Sequence, residues 1–371
     1  MRYYLVAGEA SGDLHGSNLV RGLKAGDPEA EFRFWGGDLM QEASGGINPV
    51  VHYKDTAIMG FWEVLTKAGR ISQNLRLCKE DIISWKPDVI ILIDYPGFNL
   101  QIARFCHDRG LKVFYYIAPK TWASRAERNR KLKAWVDKLF VVFPFEVPYF
   151  TKQGVPFIYK GNPLVDAIDS HKFERPAEGN YLAVLAGSRK GEISRTMPIC
   201  MEAADKLGMK VIVAGAPSAA KGDYEPFIAG RKNVELIFGR TYDILKYADA
   251  AIVNSGTASL EAALIGTPQV VCWSSSAVTY LIAEYILGVR RRIKYISLGN
   301  LCLGRQAFVE LVQGDFTPDS VCEEVNRLTG DKAYRSRMIA DYSEIRKTLG
   351  GSGASNAVAL AMIEELKKKG S

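Results

Sequence analysis

Two successive series of short apolar strands and helix-length segments constrain the fold of this 371-residue chain more than any other feature. The first series begins with RYYLVAG at residue 2 and continues through EFRFWG, PDVIILIDYPG and KVFYYIAP. The second begins with NYLAVLAGS at residue 180 and continues through MKVIVAG, DAAIVNSG and PQVVCW. Strands separated by helical lengths predict parallel sheets built from βαβ units. We therefore expect an α/β protein with two doubly wound, Rossmann-like domains facing across a cleft.

The domain boundaries are predicted from changes in composition along the chain. Charge and proline content rise between residues 161 and 180 while apolar periodicity weakens, which is typical of a linker. We expect an N-terminal domain over 1–165, a C-terminal domain over 166–345 and a final helix within 346–371. The segment GGSGAS at 350–355 would let this last helix cross back or exchange between subunits, so both a monomer and a homodimer stay open.

Composition excludes several classes of protein. No apolar run reaches the ~18 residues that a transmembrane helix needs, and the N-terminus does not resemble a signal peptide. The six cysteines are scattered without a CxxC pair, and the four histidines lack ligand-like spacing. We therefore expect a cytoplasmic protein without a metal or a cofactor. The net charge of +7 is mild, and no basic run interleaved with aromatics indicates a nucleic-acid partner.

A carboxylate stands at the end of the most apolar strand. Val89 to Ile93 is an unbroken apolar run, Asp94 follows, and Tyr95-Pro96-Gly97 stops the strand. Open parallel sheets bind their ligands at the carboxyl ends of the strands, which predicts that Asp94 faces a ligand. The alternative is that Asp94 only hydrogen-bonds the turn that follows it.

The turn after the first strand has the composition of a ligand-binding loop. In AGEASGD, residues 7–13, Gly8 and Gly12 permit close backbone approach, and Ser11 or Asp13 is predicted to cap the helix. Glu9 would repel a phosphate, so it suits sugar hydroxyls or a role in proton transfer. The alternative is a tight βα turn with a capped helix.

Two motifs in the second half predict a diphosphate site. In LAGSRKGEI, Gly187 and Ser188 offer backbone donors, and Arg189 offers a guanidinium suited to phosphate oxygens. In NSGTASLEAALIGTPQVV, the backbone N–H groups of Ser255, Gly256 and Thr257 open a helix, and Glu261 follows where it could reach a ribose. The alternatives are a surface salt bridge for Arg189 and a solvated helix position for Glu261.

The segment AIMGFWEVLTKAGRI, residues 57–71, is unusually apolar for a soluble enzyme. Phe61, Trp62, Val64 and Leu65 lie close together with basic residues nearby, which is typical of a helix in a membrane interface. A core helix or a dimer contact is the alternative. The segment 278–295 pairs apolar residues with Arg290–Arg292 and has the same two interpretations.

Taken together, these motifs resemble the lipid-A-disaccharide synthases, which are inverting glycosyltransferases of the GT-B type. The resemblance runs nearly end to end. It depends on the order and spacing of seven segments: VAGEASGDLHG, AIMGFWEVL, KPDVIILIDYPGFN, IAPKTWASR, AGSRKGEI, NSGTASLEAALIGTPQVV and ISLGNLCLGR.

The resemblance implies a reaction and a set of roles. The family joins UDP-2,3-diacylglucosamine to 2,3-diacylglucosamine 1-phosphate (lipid X), forms a β(1→6) disaccharide and releases UDP. Asp94 would be the catalytic base, with Glu9 as an orienting partner. Arg189 and Asn300 would lie near the UDP phosphates, and Glu261 near the ribose. The enzyme would act as a peripheral protein on the cytoplasmic face of the inner membrane.

The chain departs from the family pattern in three places. The family often has PGSR where this chain has Ala186 before GSR, and SLPN where Gly299 precedes Asn300. Its tryptophan-rich SVWAWR motif survives as KTWASR, residues 120–125, with one tryptophan replaced, which bears on the acceptor contacts. Two other functions stay open: a UDP-sugar epimerase of the same architecture, and a nucleotide-sugar-binding or membrane-associated scaffold without activity.

Overall fold

The computed structural model describes residues 1–56, 64–123, 125–275 and 294–368. The chain forms two compact units, one of Met1–Asp166 with Gly351–Ser371 and one of Ala167–Gly350. Each unit contains a sheet in which all strand pairs are parallel. The predicted α/β class with two doubly wound parallel sheets is confirmed.

The first unit contains a sheet with the strand order β3-β2-β1-β4-β5-β6-β7. Its strands are β1 (Arg2–Ala7), β2 (Glu31–Gly36), β3 (Val51–His52), β4 (Val89–Ile93), β5 (Val113–Tyr116), β6 (Lys138–Val141) and β7 (Phe157–Tyr159). All five residues of β4 are buried, as expected for a central parallel strand covered on both faces. Strands β2 and β3 are added on one side of β1, and strands β4 to β7 on the other side. The β1–β4 pair is therefore the topological switch point.

Helices connect these strands and cover the sheet. They are α1 (Ala10–Gly26), α2 (Asp38–Ser44), α3 (Tyr53–Thr56), α4 (Val64–Trp85), α5 (Pro96–His107), α6 (Arg128–Trp135), α7 (Glu146–Gln153) and α8 (Pro163–Asp169). The chain passes into the second unit within α8, so the first half of the predicted linker is helical.

The second unit repeats the arrangement with the strand order β10-β9-β8-β11-β12-β13 and its switch point between β8 and β11. Its strands are β8 (Leu182–Leu185), β9 (Val211–Gly215), β10 (Val234–Phe238), β11 (Ala250–Asn254), β12 (Gln269–Trp273) and β13 (Glu310–Val312). Its helices are α9 (Lys190–Leu207), α10 (Glu225–Ile228), α11 (Thr241–Tyr247), α12 (Thr257–Ile265), α13 (Leu298–Leu303), α14 (Pro318–Gly330) and α15 (Lys332–Leu349).

The last helix, α16 (Ala354–Lys367), belongs to the first unit and packs along α1. Two glycines on α1 make the close approach possible. A Cβ on Gly22 would lie 2.9 Å from the Cβ of Ala359, and one on Gly26 would lie 2.7 Å from Ile363. The carboxylate of Asp166 accepts hydrogen bonds from the backbone N–H groups at the start of α16, including Ser355 at 2.7 Å.

Candidate active site

The turns at the switch point of the first sheet leave from one edge. Ala7 pairs with Ile93 across β1 and β4, and Ile93 pairs with Tyr116 across β4 and β5. Because parallel strands have their carboxyl ends on the same side, the residues after these three strands share that edge. They are Gly8-Glu9, Asp94 and residues 117–123.

Asp94 is held in a conformation that L-residues rarely adopt. Asp94 and Tyr95 both have left-handed backbones, with φ of +45° and +47°. The carbonyl of Asp94 accepts hydrogen bonds from Asn99 Nδ2 at 2.8 Å and from the Tyr115 hydroxyl at 2.5 Å. Each left-handed non-glycine residue costs about 1–3 kcal/mol, so the surrounding bonds must impose this geometry. Such strain concentrates at functional sites.

The charge of Asp94 is set by burial and by three neighbouring side chains. Burial raises the pKa of Asp94 to about 6. Lys120 and Arg128 lower this pKa by attraction, and Glu9 raises it by repulsion. A carboxylate with a pKa near 6 is mostly ionised at neutral pH and can still take up a proton, as a general base must.

The β1–α1 turn lies against the Asp94 turn. A Cβ on Gly8 would fall 2.4 Å from the Tyr95 ring, so glycine is required for this contact. Tyr95 in turn stacks on Phe98 with ring centroids 5.4 Å apart. Glu9 is exposed at the start of α1, and Ser11 beside it is also exposed. Gly12 is buried, and a Cβ there would lie 3.2 Å from Ala7.

The predicted capping of α1 is wrong. Neither Ser11 nor Asp13 caps this helix, whose N-cap residue is Glu9 without a side-chain cap bond. The buried Asp13 carboxylate instead accepts hydrogen bonds from the backbone N–H groups of Gly37, Leu39 and Met40 at the start of α2. It therefore links α1 to α2, a partnership that local spacing does not reveal.

Sequence reasoning missed a second carboxylate near the Asp94 edge. Glu146 is buried beyond β6 and accepts hydrogen bonds from the backbone N–H groups of Val142 and Phe143 at 3.1 and 3.0 Å. Burial raises the pKa of Glu146 to about 7, and Lys120 is among the groups that lower it. The signal was present in FVVFPFE, where an acid follows an apolar strand as Asp94 does.

In the second unit, the predicted GSR residues follow β8 at the switch point. Gly187 has φ of +112°, and a Cβ there would lie 2.7 Å from Asn254 Nδ2. Glu192 accepts the backbone N–H of Ser188 at 3.0 Å, which shapes the turn into α9. The Arg189 side chain is 73% exposed, and its contact with Glu192 spans 3.5 Å, so the guanidinium is accessible to an anion.

The turn after β11 is the second half of this switch point. Ser255 and Gly256 lead into α12, which begins at Thr257. The Ser255 hydroxyl donates to the Ile296 carbonyl at 3.2 Å. Glu261 is half-buried in α12, and burial raises its pKa to about 7. The Tyr242 hydroxyl lies 3.5 Å from Glu261 Oε1.

Asn300, which the resemblance implies lies near the UDP phosphates, belongs to α13. It is fully buried, and its Nδ2 donates to the Phe308 carbonyl and to Glu310 Oε1 at 3.0 and 2.8 Å. Its Oδ1 accepts the backbone N–H groups of Ala307 and Phe308. Both amide protons are therefore engaged within the protein.

Glu310 holds the loop 296–300 that contains Asn300. Its carboxylate accepts the backbone N–H groups of Ile296 and Ser297 as well as the Ser297 hydroxyl. Since the Ser255 hydroxyl also binds residue 296, the loop 296–300 is tied to the β11–α12 turn. Glu310 is a further residue that sequence reasoning missed.

The predicted membrane-associating residues fall largely outside the part of the chain that the structure describes. Phe61 and Trp62 lie outside it entirely, as do Arg290–Arg292. Val64 and Leu65 form the start of α4, but their side chains lie outside the described part of the structure. Within the described ranges, no helix combines the length and apolarity needed to cross a bilayer. No cluster of metal-ligating side chains is found in those ranges either.

Comparisons with known proteins extend over almost the whole chain. Residues 3–362 match the family model described as lipid-A-disaccharide synthetase. The chain is 36% identical to the lipid-A-disaccharide synthase of Geobacter sulfurreducens, covering 99% of this chain and 98% of that protein. It is also 36% identical to the Myxococcus xanthus protein of the same name, over 98% and 97% of the two chains.

Solved structures with low identity share the fold. The UDP-GlcNAc 2-epimerase of Neisseria meningitidis, bound to UDP-GlcNAc, has a TM-score of 0.70 at 12% identity and covers 98% of this chain and 100% of its own. A calicheamicin glycosyltransferase has a TM-score of 0.56 at 18% identity, with 99% and 98% covered. At these identities the likeness concerns the fold alone.

Proposed function

This chain belongs to the lipid-A-disaccharide synthetase family, and from that premise we propose that it transfers 2,3-diacylglucosamine from a UDP donor to 2,3-diacylglucosamine 1-phosphate. The products are the β(1→6)-linked tetraacyl disaccharide 1-phosphate and UDP. The observation that carries the proposal is the match over residues 3–362, together with a strained carboxylate of raised pKa at the switch point of the first sheet.

Asp94 is the general base of this proposal. The 6-hydroxyl oxygen of the acceptor forms a bond to C1 of the donor sugar while the bond from C1 to the phosphate oxygen breaks. The hydroxyl proton goes to the Asp94 carboxylate, and the bonding electron pair leaves with UDP. Attack from the face opposite the leaving group inverts C1. The pKa of Asp94, about 6, supports this role. At neutral pH the carboxylate is ionised, and it is more basic than an ordinary aspartate, so it accepts the proton more readily.

Glu9 is proposed to assist Asp94. Its charge raises the pKa of Asp94, which makes Asp94 a stronger base. The exposed position of Glu9 at the start of α1 also suits a hydrogen bond from a sugar hydroxyl, and the Ser11 hydroxyl and the Gly12 backbone belong to the same turn. Its effect is expected to be smaller than that of Asp94, since it acts through another group.

The leaving diphosphate is stabilised by the second unit in this proposal. The exposed guanidinium of Arg189, with the backbone donors of Gly187 and Ser188, suits phosphate oxygens. The N–H groups of Ser255, Gly256 and Thr257 at the start of α12 add partial positive charge. The Glu261 carboxylate accepts hydrogen bonds from the ribose hydroxyls. Asn300 contributes by holding the loop 296–300, because its amide protons are already engaged.

Both proposed substrates carry acyl chains, so the protein must meet a bilayer. We attribute this contact to the apolar segment of Phe61, Trp62, Val64 and Leu65, on the cytoplasmic face of the inner membrane. Flotation with anionic liposomes tests it. A folded variant with Phe61→Ser and Trp62→Ser should remain in the soluble fraction, and unchanged binding would exclude this anchor.

The function is tested by mixing the protein with the acylated UDP donor and radiolabelled acceptor. Formation of a labelled disaccharide with stoichiometric UDP is expected. A sugar epimer without a disaccharide would instead support an epimerase. Binding of UDP without any turnover in the parent protein would support a scaffold. Adding a chelator should leave the rate unchanged, because the proposal gives the charge of the diphosphate to Arg189 and backbone donors.

A further inference from the structure

A run of basic residues follows the carboxyl end of β5 and has no part in the proposed proton transfer or diphosphate binding. Residues 120–133 contain six basic side chains and one acidic side chain. Ile93 pairs with Tyr116, so Asp94 and the Lys120 turn follow neighbouring strand ends, and both Lys120 and Arg128 lower the pKa of Asp94. Within the described ranges, neither of them forms an ion pair at 4.0 Å or less. Unmatched cations beside a catalytic carboxylate are available to an anionic ligand.

The backbone at Lys120 is fixed although its side chain is exposed. The Thr121 N–H donates to the Pro119 carbonyl at 2.6 Å, which places Lys120 at the centre of a tight three-residue turn. The Lys120 carbonyl accepts the Ala123 N–H at 3.1 Å. The exposed ammonium therefore projects from an ordered turn at the carboxyl end of β5.

The base of this turn is anchored in the core of the unit. The Trp122 ring packs edge-on against Phe145 with centroids 5.0 Å apart, and Phe145 stacks on Phe143. Glu146 fixes the backbone of this aromatic segment through the N–H groups of Val142 and Phe143. This packing fixes the backbone from which the Lys120 side chain extends at the Asp94 edge.

We infer that Lys120 and Arg128 form a subsite for the phosphate monoester of the acceptor. This inference rests on the proposed function, which supplies an acceptor with a phosphate and a reacting hydroxyl on one hexose. With the 6-hydroxyl at Asp94, the 1-phosphate lies across the same ring, where long basic side chains from the neighbouring strand end and from α6 can reach it. A dianionic phosphate matches two cations that have no carboxylate partner among the described residues.

Equilibrium binding separates this subsite from a purely structural role. The probes are a short-chain 2,3-diacylglucosamine 1-phosphate and the same sugar without its phosphate, titrated calorimetrically. Lys120→Met should weaken binding of the phosphorylated sugar about 10- to 100-fold, since hydrogen bonds to charged groups have this magnitude. Binding of the unphosphorylated sugar should stay unchanged. Lys120→Arg should restore most of the loss, and Arg128→Met should reproduce it.

Lys131→Met is the matched control. Lys131 is exposed in the same basic segment, and its ammonium lies 5.8 Å from the Trp135 ring centroid. This variant should bind both sugars as the parent does. Equal weakening in Lys131→Met and Lys120→Met would show a diffuse surface field and would overturn the subsite.

Kinetics supply a second readout. Lys120→Met should raise KM for the phosphorylated acceptor and leave KM for the UDP donor unchanged; a change confined to the donor would place Lys120 at the diphosphate and contradict the inference. Disaccharide formation by the parent is measured alongside. A parent that forms none overturns the proposed function. A parent that turns over while Lys120→Met binds both sugars normally overturns the subsite alone.

Discussion

The carboxyl edges of the two sheets use the same topology in opposite ways. The edge of the first sheet has a strained Asp94 with raised pKa and two cations without ion-pair partners among the described residues. At the edge of the second sheet, the polar groups of Glu310 and Asn300 are hydrogen-bonded within the protein. Their bonds join residues 296–300 to residues 307–308. This difference suits the proposed roles, proton transfer at the first edge and binding at the second.

The difference lies in how polar groups are satisfied. A buried group with all its hydrogen bonds made resists change, because each lost bond leaves an unpaired group. A carboxylate that faces unmatched charges responds to every change in its surroundings. Substitutions at the first edge should therefore change rates and pH dependence, whereas those at the second edge should change affinity and stability.

Removal of the Asp94 charge should have the largest effect. Asp94→Asn should lower the rate of disaccharide formation about 10²–10⁴-fold, the usual contribution of a positioned general base. UDP affinity and thermal stability should stay near those of the parent. Asp108→Asn is the control, because Asp108 is exposed and pairs with Arg104 at 3.7 Å in the same unit. Full activity of Asp94→Asn would remove the chemical role of the first edge.

Removal of the Arg189 charge should weaken binding without unfolding. Arg189→Met should reduce UDP affinity about 10- to 100-fold, because the guanidinium is exposed and hydrogen bonds to charged groups are worth about 1.5–3 kcal/mol. Calorimetry measures this. Lys210→Met, just before β9 at the opposite edge of the sheet, should bind UDP normally. Equal losses in both variants would indicate general charge attraction.

Removal of the Asn300 amide should sharpen the contrast within the second unit. Asn300→Ala leaves buried backbone groups of Ala307 and Phe308 unpaired, so the free energy of unfolding should fall by roughly 1–3 kcal/mol. Urea denaturation measures it, with Asn326→Ala on an exposed helix position as control. Unchanged stability combined with lost UDP affinity would instead return Asn300 to direct phosphate binding.

Neutralising Glu9 should have the smallest effect and a defined sign. The base form of Asp94 is lost as pH falls through its pKa of about 6, so kcat/KM should decline below that pH. Since Glu9 raises this pKa, Glu9→Gln should move the decline to lower pH. The gain at pH 5 should not exceed about tenfold, which corresponds to one full pH unit. Glu178→Gln in the second unit should leave the profile unchanged, and a shift to higher pH would contradict the arrangement.

The sequence predicted the features that depend on the order of neighbouring segments along the chain. Both parallel sheets follow from the alternation of strands and helices, and Asp94 and Arg189 follow from their positions directly after buried strands. The two sheets are confirmed, whereas the roles of Asp94 and Arg189 stay predictions that depend on the shared edge formed by the carboxyl ends of parallel strands.

The sequence could not predict partnerships that form between segments distant along the chain. The Asp13 carboxylate accepts a hydrogen bond from Gly37, 24 residues later in the chain. The Glu310 carboxylate accepts hydrogen bonds from Asn300 and Ser297, ten or more residues earlier. Their spacing matches no local motif. The resemblance implied a place for Asn300 near the UDP phosphates, but it could not indicate that the polar atoms of Asn300 bind residues 307, 308 and 310 in the tertiary fold.

The packing of α16 on α1 sets the order in which the protein can mature on the ribosome. The groove at Gly22 and Gly26 is filled by residues that are translated after the whole second unit, and Asp166 accepts hydrogen bonds from the same segment. The amino-terminal half thus leaves the exit tunnel with an uncovered apolar face. It can complete its core only after α16 has also left the tunnel, so a nascent chain stalled before residue 354 is expected to expose this face.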